Sequence, residues 1–194
     1  MGRYPLVVDP IVGPKQLTKV LMDGGSGLNI IYAKTLDEMG VDRTCLRPTL
    51  APFHGIVLGK QAMPLGQIDL PITFGDQFNY RTETLTFKVV GFPGTFHVIL
   101  GQPCYAKFMA IPNYTYLKLK MSGPPGVITV GTSFQCTYEC EVECYGHTTA
   151  IVASRELATL REEVSKEASD AKKLTGSFKL AEGSKGVLIN PSSS

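Results

Sequence analysis

Apolar and polar residues alternate along two stretches near the middle of the chain. Ile68, Leu70, Ile72 and Phe74 interleave with Gln67, Asp69, Pro71 and Thr73, and Leu85, Phe87 and Val89 repeat the pattern. A period of two puts each set on its own face, so both stretches predict strands with one buried and one wetted side. Pro71 has no N–H to give to a ladder, which places the first strand at an edge or a bulge. Shorter apolar runs at Tyr4 to Val8, Leu17 to Met22, Leu28 to Tyr32 and Phe96 to Leu100 predict further strands, the last stopped by Gly101. Ala33 to Met39 predicts one or two helical turns ended by Gly40. Leu117, Leu119 and Met121 alternate with Tyr116, Lys118 and Lys120, then turn through Ser122 to Gly126 into Val127 to Val130, which predicts a hairpin.

The rear of the chain follows another rule. Leu157, Leu160, Val164, Ala168 and Ala171 recur at helical spacing, with Ser154 as N-cap, and predict a charged helix at about 154–174. Residues from Gly176 onward carry few large apolar side chains and predict a flexible tail. Composition sharpens this division, because 12 of the 13 prolines and 16 of the 20 glycines precede residue 135. The organisation read from the sequence is a β domain over 1–133, then a Cys-containing linker, charged helix and tail over 134–194.

A length of 194 residues with 43% hydrophobic and 19% charged side chains suits one ordinary domain with an appendage. Nineteen basic against 17 acidic residues, without a basic run, gives no footprint for a polyanion, so direct nucleic-acid binding is not expected. No apolar run reaches membrane-spanning length, and Pro5, Asp9 and Pro10 interrupt the N-terminal one, so the expected location is cytoplasmic, with no membrane partner.

The segment that carries chemistry is Val20-Leu21-Met22-Asp23-Gly24-Gly25-Ser26, an acid on a tight glycine turn directly after an apolar strand. Asp-Gly is also the signature of a surface hairpin turn. Three features accompany it: the strand Leu28-Asn29-Ile30-Ile31-Tyr32, a later glycine-containing hairpin, and Val98-Ile99-Leu100-Gly101 at the far end of the β region. With these, residues 3 to 131 resemble the retropepsin-like aspartic proteases, specifically those in polyproteins of plant gypsy-type LTR retrotransposons. The stretch from Cys104 through Pro112-Asn113-Tyr114-Thr115-Tyr116-Leu117-Lys118-Leu119-Lys120 extends the resemblance.

The resemblance implies a mainly β, closed retropepsin-like barrel with one or two short helices. It implies Asp23, Gly24 and Gly25 as the catalytic turn, Ser26, Ile99, Leu100 and Gly101 as its support, and a polypeptide substrate without cofactor or metal. It also implies a flap over the substrate, for which Phe53 to Lys60 is the candidate, with Ile56, Val57, Leu58 and Gly59 at its tip. Two departures stand out. Gly24 occupies the place of a Thr or Ser, and Gln102 and Gly27 replace an Arg and the acid that pairs with it.

Physical chemistry adds a condition. Water activation by aspartates needs two carboxylates close enough to share one proton. This chain has one such turn, so catalysis requires a homodimer that sets Asp23 against its symmetry mate. The alternative is a catalytically decayed or truncated retroelement fragment acting as a non-catalytic interaction or linker module.

Other reactive residues suggest less. Cys136, Cys140, Cys144 and His147 are spaced Cys-x3-Cys-x3-Cys-x2-His, and ligands at successive helical turns diverge from one tetrahedral centre. Free thiols on a partly buried segment fit this spacing better than zinc. A Cys-His hydrolase using His54 or His97 has no local sequence support, since Cys45 and Cys104 have no neighbouring histidine.

Overall fold

The alternation at 66–75 and 80–90 folds into one long antiparallel ladder running from Gly66 opposite Val89 to Gly75 opposite Tyr80. The computed structural model describes residues 4–49, 53–54, 61–132, 134–146 and 166. Its strands are β1 (Leu6–Val8), β2 (Ile11–Val12), β3 (Lys15–Gln16), β4 (Val20–Met22), β5 (Asn29–Tyr32), β6 (Phe53–His54), β7 (Gln61–Ala62), β8 (Gly66–Gly75), β9 (Tyr80–Val90), β10 (Val98–Leu100), β11 (Ile111–Asn113), β12 (Lys118–Gly123) and β13 (Gly126–Gly131). Helices are α1 (Ala33–Glu38), α2 (Gln102–Phe108) and α3 over residues 134–146.

Eight strands form one sheet in the order β1-β4-β10-β5-β9-β8-β2-β3, and β11-β12-β13 form a second. The expected closed barrel is therefore corrected to an open, curled sheet. Its ends are chain neighbours, since β1 stops at Val8 and β2 starts at Ile11, yet no ladder joins β1 to β3. Pro10 in that connection has no N–H to donate. Gly13, at a φ of 55°, folds β2 tightly back into the two-residue, exposed β3. The curl instead closes over side chains. Leu6, Val20, Ile31, Phe74, Phe87, Leu100, Phe108, Leu117 and Leu119 share one core in which each is nearly or fully buried.

One crossing positions the site. The chain leaves β4, turns, and returns along β5 without pairing to β4; β10 later fills the slot, parallel to β4 and antiparallel to β5. Leu100 stands opposite Met22, so Gly101 emerges directly beneath the turn that follows β4. All four residues of β5 are buried, which explains why it is apolar on both faces apart from Asn29.

Two elements differ from the sequence reading. β4 begins at Val20 rather than Leu17, because Lys19 adopts a left-handed φ of 54° that breaks the run. α2 has no counterpart in the residue-by-residue reading above. It starts at Gly101, carries Pro103 in its first turn where a missing N–H costs nothing, and buries Cys104 and Phe108 one turn apart. Arg81 donates to the carbonyls of Lys107 (2.9 Å) and Phe108 (3.1 Å), closing the C-terminal end of α2.

Residues 134–146, which open the Cys-containing segment, are helical. Cys140 of α3 is buried with Val7 and Phe96, and Cys136, Cys144 and Leu21 pack alongside. Lys19 and Glu143 form an ion pair at 2.8 Å over the same contact. Residues up to 147 belong to one compact unit. The helix predicted at about 154–174 and the tail lie, apart from Lys166, outside the described residues. Among the described residues, no helix is long and apolar enough to cross a membrane.

Candidate active site

β4 delivers the chain to Asp23, whose amide donates to the Leu100 carbonyl at 2.8 Å. The turn then closes on its own carboxylate. The Gly25 N–H donates to Asp23 Oδ1 at 2.9 Å, and the Ser26 N–H donates to the Asp23 carbonyl at 3.2 Å. A charge-assisted bond from a backbone amide fixes one carboxylate oxygen. Asp23 itself is half-buried, while Gly24 and Gly25 are exposed.

Below the turn, the supporting residues interlock. Ser26 Oγ donates to the Leu28 carbonyl at 2.8 Å and accepts from the Leu28 N–H at 3.3 Å. The Ser26 carbonyl accepts from the Gln102 N–H at 2.8 Å. A Cβ added to Gly101 would stand 2.3 Å from the Leu28 carbonyl oxygen and 2.4 Å from that of Ser26, so only glycine lets the turn pass over β10 this closely. Leu100 is fully buried in the main core. Ile99 packs in a smaller cluster with Ile30, Tyr32 and Val90.

Three groups at this site escape the sequence reading. Asn29, 3% exposed, accepts from the Gly101 N–H at 3.0 Å and donates from Nδ2 to the Thr86 carbonyl at 3.2 Å. Its signal is a single amide inside an apolar strand, a polar group that burial obliges to find partners. Gln102 Nε2 donates to the Gly24 carbonyl at 3.2 Å, so this side chain ties α2 to the turn. Tyr105 on α2 and Tyr114 after β11 bring their hydroxyls to 3.3 Å from each other beside Gly24. Burial, then the Tyr114 hydrogen bond, and last the nearby Asp23 carboxylate push the Tyr105 phenol far above its ordinary range, so it stays protonated.

Pro5, Leu21, Met22, Asp23, Gly24, Gly25 and Tyr114 line an open groove of ≈ 430 Å³. Asp23 is the only acid among these lining residues. A second groove of ≈ 310 Å³, with Asn29, Thr86, Lys88 and Lys107 in its wall, has no carboxylate in its lining. The proposed flap enters as a short hairpin, with Phe53 opposite Ala62 and His54 opposite Gln61. Ile56, Val57, Leu58 and Gly59 lie outside the described residues. The His97 ring contacts the Thr18 carbonyl, and its own carbonyl accepts from Thr35 Oγ1 at 3.0 Å, a structural engagement away from the groove. Among the described residues, no three His, Cys, Asp or Glu side chains gather in a way that could hold a metal ion.

No protein-family model and no curated protein sequence matches the chain. Solved structures that are similar include the retroviral protease-like domain of Ddi1 from Leishmania major, at 14% identity and a TM-score of 0.48, covering 66% of this chain and 90% of that one. A retropepsin-like aspartic protease from Rickettsia conorii is similar at 13% identity and a TM-score of 0.42, covering 65% and 81% of the respective chains. These likenesses are distant, and neither reaches the plant retrotransposon group named by the sequence resemblance.

Proposed function

We propose that the Asp23 turn is one half of an aspartic endopeptidase centre, completed by the same turn of a second copy. The observation that carries this reading is Asp23 itself, held by the Gly25 amide at 2.9 Å in the wall of an open groove. Paired across a two-fold axis, two such carboxylates share one proton. The ionised one takes a proton from a water that attacks the scissile carbonyl, and the protonated one donates to the carbonyl oxygen. The pair titrates as a unit and has no separate acid and base until substrate binds. The substrate class is an extended, unstructured polypeptide, as in processing of a retroelement polyprotein, and neither cofactor nor metal takes part.

The test is cleavage of an unstructured peptide in mild acid by wild type and by Asp23→Asn, with sedimentation at the assay concentration. Cleavage that vanishes in Asp23→Asn and tracks the dimer supports the reading. Cleavage unaltered by Asp23→Asn sinks it, and a strictly monomeric, inert protein supports the non-catalytic module instead.

A further inference from the structure

We propose that Tyr114 is a substrate-positioning residue, whose hydroxyl, anchored by Tyr105, donates a hydrogen bond to the backbone of a peptide lying across the Asp23 turn. The inference rests on the endopeptidase reading and adds a specific donor to it.

Two phenols 3.3 Å apart can share one hydrogen bond, and the acceptor keeps its own proton to give elsewhere. Burial decides the direction. Tyr105 is half-buried on α2 and needs a partner for its hydroxyl, whereas Tyr114 is 37% exposed and lines the groove with Asp23. We take Tyr105, the more buried of the two, as the donor, which leaves the Tyr114 proton for the groove. Tyr105 keeps its proton, held above all by burial, then by the Tyr114 hydrogen bond, with the charge of Asp23 adding least.

Position 24 explains why a donor fits here. A Cβ on Gly24 would lie 3.4 Å from the Tyr114 oxygen and 4.0 Å from Tyr105 Cε2, both ordinary contacts. The tyrosine hydroxyl thus stands beside the space that a side chain at position 24 would use. α2 holds the pair in place, because Arg81 locks its last turn to β9 and Gln102 ties its first residue to the Gly24 carbonyl. A rigid donor next to a side-chain-free turn suits a flat peptide backbone.

The experiment compares Tyr114→Phe, Tyr105→Phe and Asp23→Asn with wild type in peptide cleavage, with thermal unfolding of each. Losing a donor that bonds the peptide equally in the ground and transition states raises KM and spares kcat. Tyr114→Phe is expected to raise KM about tenfold, the worth of one neutral hydrogen bond, and to lower the unfolding midpoint slightly, because it also removes the partner of the Tyr105 hydroxyl. Tyr105→Phe keeps the donor but frees its orientation, so its KM rises less. The double variant Gly24→Ser/Tyr114→Phe, which returns a hydroxyl to the same space, recovers part of the loss. Tyr114→Phe with KM within twofold of wild type, while Asp23→Asn is inactive, overturns the role of Tyr114 and leaves the endopeptidase reading standing. Wild type that neither cleaves the peptide nor binds a statine-containing peptide overturns both.

Discussion

The Gly101 amide donates to the side-chain oxygen of Asn29 across 3.0 Å, joining the end of β10 to the start of β5 beneath the Asp23 turn. Both partners are buried, and Asn29 spends its amide donor on the Thr86 carbonyl of β9. Three strands are therefore pinned by one side chain. Asn29→Ala leaves a buried N–H without its acceptor, and the expected loss is about 1–3 kcal/mol of stability, read from urea unfolding. A variant as stable as wild type would show that water replaces the amide at this junction.

Gly101 and Gly24 lie on opposite sides of the same turn and should respond oppositely to a side chain. Gly101→Ala forces its methyl against two carbonyl oxygens at 2.3 and 2.4 Å, which the backbone relieves only by moving the turn. The expected cost is about 2 kcal/mol, together with loss of peptide cleavage. A Cβ at position 24 meets nothing closer than 3.4 Å outside its chain neighbours, so Gly24→Ser should stay within about 0.5 kcal/mol of wild type. Thermal unfolding of both variants checks the contrast, and equal sensitivity would contradict the packing of β10 under the turn.

The long ladder of β8 and β9 was legible because period-two alternation is a local signal that sheet formation leaves intact. The Asp23 turn was legible for the same reason, with acid, glycines and flanking strands all within a dozen residues of one another. What escaped depends on distant contacts. Asn29 and Gly101 are 72 positions apart, so nothing next to Asn29 announces its acceptor role. Nothing local in the sequence sets Tyr105 or Tyr114 apart, and only the return of the chain after α2 sets their hydroxyls together. The barrel stays open for a reason equally remote from local pattern: its two edge strands are short, and β3 is exposed at both residues.

Thiol chemistry reports directly on α2 and α3. Cys104 is fully buried and burial pushes its thiol up to about 12, while Cys140 of α3 is 1% exposed with its thiol raised to about 11. Cys45 lies exposed after the short helical turn Arg43–Cys45. Alkylation requires both access and thiolate, so iodoacetamide at about pH 8 should label Cys45 in the native protein and spare Cys104 and Cys140 until denaturant is added. Peptide mass mapping reads the result. Native labelling of Cys104 at the rate of Cys45 would mean that α2 is not seated on the core, and with it the placement of Tyr105 would fail.

Acid should loosen the fold through carboxylates that the native state holds ionised. Asp76 accepts from the Phe78 and Asn79 amides at 2.8 and 2.9 Å, and these bonds hold its carboxyl below the ordinary 3.8. Arg43 lowers Asp37 in the same way through a hydrogen-bonded ion pair. For a group whose folded value lies below its unfolded one, the stabilisation is complete above the unfolded value and disappears as pH falls through the folded value. The unfolding midpoint should therefore drop steadily from about pH 5 to about pH 2. Asp76→Asn keeps an oxygen for the two amides but no longer titrates, so its midpoint should start lower at neutral pH and fall less on acidification. An aspartic centre needs acid to protonate its pair, whereas Asp76 must stay ionised to hold the β8–β9 turn and Asp37 to hold Arg43. The activity profile is accordingly expected to be cut off on its acid side by unfolding, and Asp76→Asn, less stable at neutral pH and no more stable in acid, should not extend that edge to lower pH and should leave the alkaline one unshifted.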